Sequence, residues 1–215
     1  MNYDSLAFMA ILKSEKAIAE IKFVDYNYGY VSYSLRLLYG DKPIINPELL
    51  AEDPIHFDEY DRDCLIPFFE NLLKEDKNAV FNPLEPEIRI EAYFSPKFGL
   101  KEADALKERD GYWYSDDYKK KLRAVDEERD KAGGKLEDDN FDIYFWVNDQ
   151  KLKPWRDEVG AYGGFVFGMN VDVSRSELEK FVSELKKEYQ EWKEKNKEQI
   201  EHYGGKEKLQ DYALE

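Results

Sequence analysis

Chemistry at neutral pH calls for a nucleophile, a titrating base or a set of metal ligands, and this sequence offers few of each. Its one cysteine is Cys64 and its two histidines are His56 and His202. A Cys64–His56 pair would need a third group to orient the imidazole and a donor to hold an oxyanion, and neither is recognisable. Cys64 instead opens an apolar helical pattern, where a free thiol packs as a small hydrophobe. A single cysteine also excludes an internal disulfide framework and any multi-cysteine metal site.

Carboxylates are the abundant reactive type. Glu52, Asp53, Asp58, Glu59, Asp61 and Asp63 crowd one segment, and Glu137, Asp138, Asp139 and Asp142 another. An EF-hand calcium loop spaces its ligands around a mid-loop glycine, and neither stretch has one. Both read as solvated loops or protein-binding rims, so no metal and no cofactor is expected. Paired carboxylates do acid–base work only where their environments push their pKa values apart, and the run Asp58 to Asp63 shows no sign of such burial. The expectation is a non-enzymatic protein. A carboxylate-dependent hydrolase drawing on Asp58, Glu59, Asp61 and His56 is an alternative. The glycine-rich run from Gly160 to Gly168 lacks the lysine and the following helix of a phosphate cradle. It reads as a turn into a strand, its glycines permitting a bulge or close packing.

Charge narrows the partner. Lys and Arg number 32 against 47 Asp and Glu, a net charge of −15. Nucleic acid and anionic lipid attract clustered cations, so direct contact with either is disfavoured. An acidic surface speeds encounter with a basic protein and rejects acidic ones. Within Glu52–Asp63 six carboxylates face Arg62 alone. Pro47 and Pro54 would hold that segment as a stiff surface loop, limiting the entropy lost on binding. The partner-binding surface is therefore expected on Glu52, Asp53, Asp58, Glu59, Asp61 and Asp63, with Tyr60 and Trp113 as exposed aromatic support.

The elements that must carry these residues follow from periodicity. The 215 residues are 42% hydrophobic and 15% aromatic, enough for a sizeable core without staples. Period-two patterning marks strands over Ala17–Asp25, Tyr30–Tyr39, Glu87–Phe94, Phe141–Val147 and Gly164–Val173. Pro43, Pro47 and Pro54 break regular structure between the second and third. Leu65, Phe68, Phe69, Leu72 and Leu73 recur at helical spacing, with Asp63 as N-cap and Pro67 tolerable in the first turn. Ser174 and Glu177 form a capping-box pattern ahead of a stripe from Leu178 to Trp192. The predicted fold is α+β: one antiparallel sheet of about six strands with two main helices on one face. A single domain spans 1–215, with a charged peripheral insertion at about 97–140 and a polar tail at about 193–215. The apolar run Leu6–Leu12 has no basic region before it and fails as a signal peptide. No stretch reaches the 18 apolar residues of a spanning helix. A cytoplasmic protein is expected.

Three stretches carry a resemblance. Cys64-Leu65-Ile66-Pro67-Phe68-Phe69-Glu70-Asn71-Leu72-Leu73 is followed by Phe81-Asn82-Pro83-Leu84-Glu85-Pro86-Glu87-Ile88-Arg89-Ile90-Glu91. This resembles the short helix and Glu-Pro-x-Leu/Ile strand of WapI-type immunity proteins, bacterial antidotes to the C-terminal domains of cell-wall-associated contact-dependent toxins. Phe165–Val173 with Ser174–Phe181 is similar to that family's last strand and helix. The resemblance implies an antagonist that occludes a basic toxin domain of the nuclease type. A phage-type anti-defence inhibitor or nucleic-acid mimic would use the same physics.

Overall fold

In a computed structural model, residues 9–27, 30–40, 42–44, 49–54, 65–82, 88–110, 114–148 and 165–203 are described. The chain is α+β. Its strands are β1 (Ala10–Lys13), β2 (Ala17–Asn27), β3 (Tyr30–Tyr39), β4 (Lys42–Pro43), β5 (Leu49–Pro54), β6 (Ala79–Phe81), β7 (Ile88–Ser95), β8 (Asn140–Asn148) and β9 (Phe165–Ser174). Its helices are α1 (Leu65–Glu75), α2 (Leu100–Asp110), α3 (Asp116–Lys131), α4 (Arg175–Lys195) and α5 (Lys197–Tyr203). Two antiparallel sheets replace the single one expected. β1, β2 and β3 form a meander whose outer edge is completed by β4 and β5, both paired with β3. The second sheet runs β6-β7-β8-β9.

The expected six strands fall short because β1, β4 and β6 are two to four residues long, too short for a period to register. Prolines hide β5 and add to the brevity of β4. Pro43 and Pro54 lie in edge strands, where a missing ladder donor costs little. Glu52 and Asp53 thus belong to β5, opposite Ser32 and Val31, and not to a stiff loop.

Alternation places Ile21, Phe23, Tyr33, Leu35, Ile90, Phe141, Ile143, Phe145 and Val171 in one contiguous core that draws on both sheets, α1 and α4. In α1, Leu65, Ile66, Phe68, Phe69 and Leu72 are buried, and Pro67 sits in the first turn, where its missing donor is not needed. α4 opens with the expected capping box. The Ser174 hydroxyl accepts from the Glu177 N–H at 3.3 Å, and the Glu177 carboxylate accepts from the Ser174 N–H at 2.8 Å. Its stripe Leu178, Phe181, Val182, Leu185, Tyr189 and Trp192 is buried against β1, β2 and α1. Phe181 meets Phe69 edge-on at 5.0 Å, and Tyr189 meets Phe23 at 5.2 Å.

The charged stretch between β7 and β8 folds as a helical hairpin in which α2 and α3 pack on each other. Ser115 caps α3, and Gly133 and Gly134, at φ 74° and 98°, end it in a conformation that side chains rarely adopt. The following run is not simply solvated. Asp139 is 0% exposed and accepts from Arg129 Nη1 and Nη2 at 2.9 and 2.8 Å, and from the Leu136 and Lys97 N–H groups at 2.9 Å each. A carboxylate with four donors can leave water, which is why the expected loop turns inward here. Burial pushes its carboxyl up, but the Arg129 hydrogen bonds and the two backbone donors more than offset this and hold it below its ordinary range.

Arg175, buried at the start of α4, ties the same region to α1. It donates to the Asp76 carboxylate at 2.6 Å, to the Leu73 carbonyl at 3.1 Å and to the Leu136 carbonyl at 3.2 Å. Lys135 donates to the Leu73 and Lys74 carbonyls at 2.7 and 2.9 Å. Carbonyls left without helical partners at the end of α1 are thereby satisfied by cations, which also suit that end of the helix dipole. Asp76 closes α1 at φ 54°, a left-handed position where glycine is usual and Asp is tolerated.

Candidate protein-binding face

Of the residues expected to bind a partner, Asp58, Glu59, Tyr60, Asp61, Asp63 and Trp113 lie outside the described residues, as do His56 and Cys64. Glu52 and Asp53 are placed on the edge strand β5. Among the described residues, no three His, Cys, Asp or Glu side chains gather as a metal site would require.

A different surface is assembled by the second sheet. The inward residues of β7, β8 and β9 fill the core, so period two sends Arg89, Glu91 and Tyr93, then Asp142, Tyr144 and Trp146, then Gly168, Asn170 and Asp172 to the opposite face. Pairing aligns them in rows: Arg89–Trp146–Gly168, Glu91–Tyr144–Asn170 and Tyr93–Asp142–Asp172, with Val80 of β6 beside Glu91. Val80 and Tyr93 are 48% and 42% exposed. Tyr93 meets Tyr144 edge-on at 5.7 Å, and Tyr144 lies nearly parallel to Trp146, 14° apart with centroids at 6.1 Å. Gly168 makes the platform possible, because a Cβ there would sit 2.6 Å from two atoms of the Trp146 ring. This is the close approach that the glycine-rich run suggested.

Carboxylates frame the rings. Glu91 is paired with Arg89 and accepts from the Tyr93 hydroxyl at 3.0 Å, a bond that raises the phenol above its ordinary pKa. Asp142 and Asp172 sit directly across from each other. Asn170 donates to Asp142 at 3.2 Å, but no cation among the described residues forms an ion pair with either carboxylate. Partial burial raises the Asp172 carboxyl, with Asp142 and then Glu177 adding to the shift. Each strand alone carries half the signal. In Phe141–Val147 the inward residues are as aromatic as the outward ones, so the alternation was legible as a strand but not as two different faces.

One buried acid stands apart from this surface. Glu188 of α4 is 4% exposed against β2, and burial pushes its carboxyl up to about 7. Lys22 opposes the shift, Glu191 adds to it, and Lys195 and the Phe23 N–H oppose it. No family model matches the chain, and no curated protein or solved structure matches it.

Proposed function

We propose that this chain is a non-enzymatic acidic binding protein that blocks a basic protein partner, in the manner of an immunity protein occluding a nuclease-type toxin domain in the cytoplasm. The observation that carries this reading is the outward face of the second sheet: three aromatic rings framed by Glu91, Asp142 and Asp172, in a chain of net charge −15. Carboxylates steer the encounter and reject acidic proteins, while aromatic side chains supply affinity once water is excluded. The acidic segment Glu52–Asp63 adds to the same field, with six acids to one arginine. No described helix is long and apolar enough to cross a membrane.

The test is capture of the partner from the native host followed by association kinetics. A basic partner whose association slows as salt rises is expected. Reversing Asp58, Glu59 and Asp61 to lysine should slow association at least tenfold without altering the far-ultraviolet circular dichroism. An acidic partner, or association indifferent to both salt and the triple reversal, would overturn the reading.

A further inference from the structure

Resting on that reading of the chain as a binder of basic protein, we propose that the outward face of β7, β8 and β9 receives an arginine side chain of the partner, its guanidinium lying on Tyr144, the ring that Trp146 backs, with its N–H groups turned to Asp142 and Asp172. Like charges directly opposed across two strands weaken a sheet. Glu91 has Arg89 beside it, whereas Asp142 and Asp172 face each other with Asn170 as the only side-chain donor to either among the described residues. A cation placed between them turns repulsion into attraction. The rings lie where that cation needs them. Asp142 and Tyr144 are two residues apart on one strand face, about 7 Å along the strand. A guanidinium seated over Tyr144 within about 6 Å of that ring centre is also in reach of the carboxylate, while Trp146, two residues further along β8, lies parallel to the Tyr144 ring and backs it.

Arginine fits this arrangement better than lysine. Its planar group stacks on an aromatic face while its edge donates two parallel hydrogen bonds to a carboxylate, and it is more weakly hydrated than an ammonium. Phosphates of nucleic acid are repelled by Glu91, Asp142 and Asp172. A neutral sugar could stack on the rings but would leave the opposed carboxylates uncompensated.

Titration of the full-length protein with hexaarginine amide and hexalysine amide, followed by nuclear magnetic resonance at low salt, tests the assignment. Hexaarginine is expected to shift the Trp146 indole N–H and the amides of Asp142, Tyr144 and Asp172, and to bind there at least threefold more tightly than hexalysine. Tyr144→Thr with Trp146→Thr should abolish that margin, and Asp142→Asn with Asp172→Asn, which preserves shape, should weaken both peptides. Equal affinities at unshifted Trp146, unaffected by either double variant, overturn the arginine site and leave the basic-partner reading standing. Shifts at these residues from cellohexaose and none from hexaarginine also overturn it. Failure of both cationic peptides to bind anywhere on the chain sinks the site and the basic-partner reading together.

Discussion

Asp139→Ala should be among the most damaging substitutions in this protein. The carboxylate is 0% exposed and accepts four hydrogen bonds of 2.8–2.9 Å, two from Arg129 and one each from the Leu136 and Lys97 N–H groups. Arg175 lies 3.8 Å away. Removing one partner of a buried pair strands the other charge, which costs about 3–5 kcal/mol. Against a total stability of about 5–15 kcal/mol that is a large share. In urea, with a slope of roughly 2 kcal/mol/M, the midpoint should fall by about 1.5–2.5 M at unchanged slope. Asp139→Asn keeps the shape but loses the charge and sets an amide N–H2 against two of the four donors, so it should cost a similar amount, on the order of 3 kcal/mol. The pH dependence has a definite sign. A carboxylate held below its ordinary pKa stabilises the fold above its unfolded value, near 3.8, and loses that contribution as pH falls through the lower folded value. The gap between the parent and Asp139→Asn should therefore be full at pH 7 and shrink below about pH 4. A loss under about 1 kcal/mol for Asp139→Ala, or a gap that does not narrow in acid, would refute the role given to this network.

Glu188→Gln should act in the opposite direction. Its carboxyl is raised to about 7, so the fold favours the protonated form, and the stability it confers in acid is lost as pH rises through 7. The variant should be more stable than the parent above pH 7, by on the order of 3 kcal/mol, and equal to it near pH 4; urea midpoints at the two pH values measure this. Leu185→Ala, at a fully buried position on α4, should cost about 2–5 kcal/mol, and a loss below about 1 would show that the α4 stripe is not core. Gly168→Ala sets two effects against each other. Alanine relieves about 0.5–1 kcal/mol of glycine's entropy cost, while its Cβ, 2.6 Å from the Trp146 ring, must displace the indole. Stability should change by less than about 1 kcal/mol while the Trp146 indole N–H resonance moves; an unmoved resonance would contradict the packing.

Where local chemistry decides an element, the sequence alone is sufficient. The Ser174–Glu177 capping box and the stripe through Trp192 specify α4 within one helix, and Pro67 is compatible with α1 only in the first turn. Strands β2, β3, β7, β8 and β9 are long enough for alternation to register. β1, β4 and β6 are not, and β5 is hidden by Pro47 ahead of it and Pro54 at its end. The burial of Asp139 was illegible for another reason. Within Glu137-Asp138-Asp139-Asn140 every residue looks solvated, and what distinguishes Asp139 is Arg129 on α3 and Arg175 on α4, which only the folded topology brings together. The outward face has the same character. Tyr93, Trp146 and Asp172 belong to three strands with unrelated sequences, and their rows exist only once β7, β8 and β9 are in register.

That register explains why a charge-opposed surface can persist. β8 is the shared wall: Phe141, Ile143, Phe145 and Val147 are fully buried on one side, while Asp142, Tyr144 and Trp146 stand on the other. Slipping β8 by one residue to separate Asp142 from Asp172 would turn four buried apolar side chains to water. At about 1.5–3 kcal/mol for each buried side chain, that loss far exceeds the repulsion between two solvent-screened carboxylates. The core thus pins the outward residues without regard to what they prefer among themselves. Rings and carboxylates fixed in this way need little ordering when a cation arrives, so more of the contact energy is available for affinity. The same argument separates the proposed face from the acidic segment Glu52–Asp63, whose charge can accelerate encounter through the long-range field of the whole chain. A short-range preference for arginine over lysine requires rings and carboxylates held in place together, as the β8 core holds Asp142, Tyr144 and Trp146.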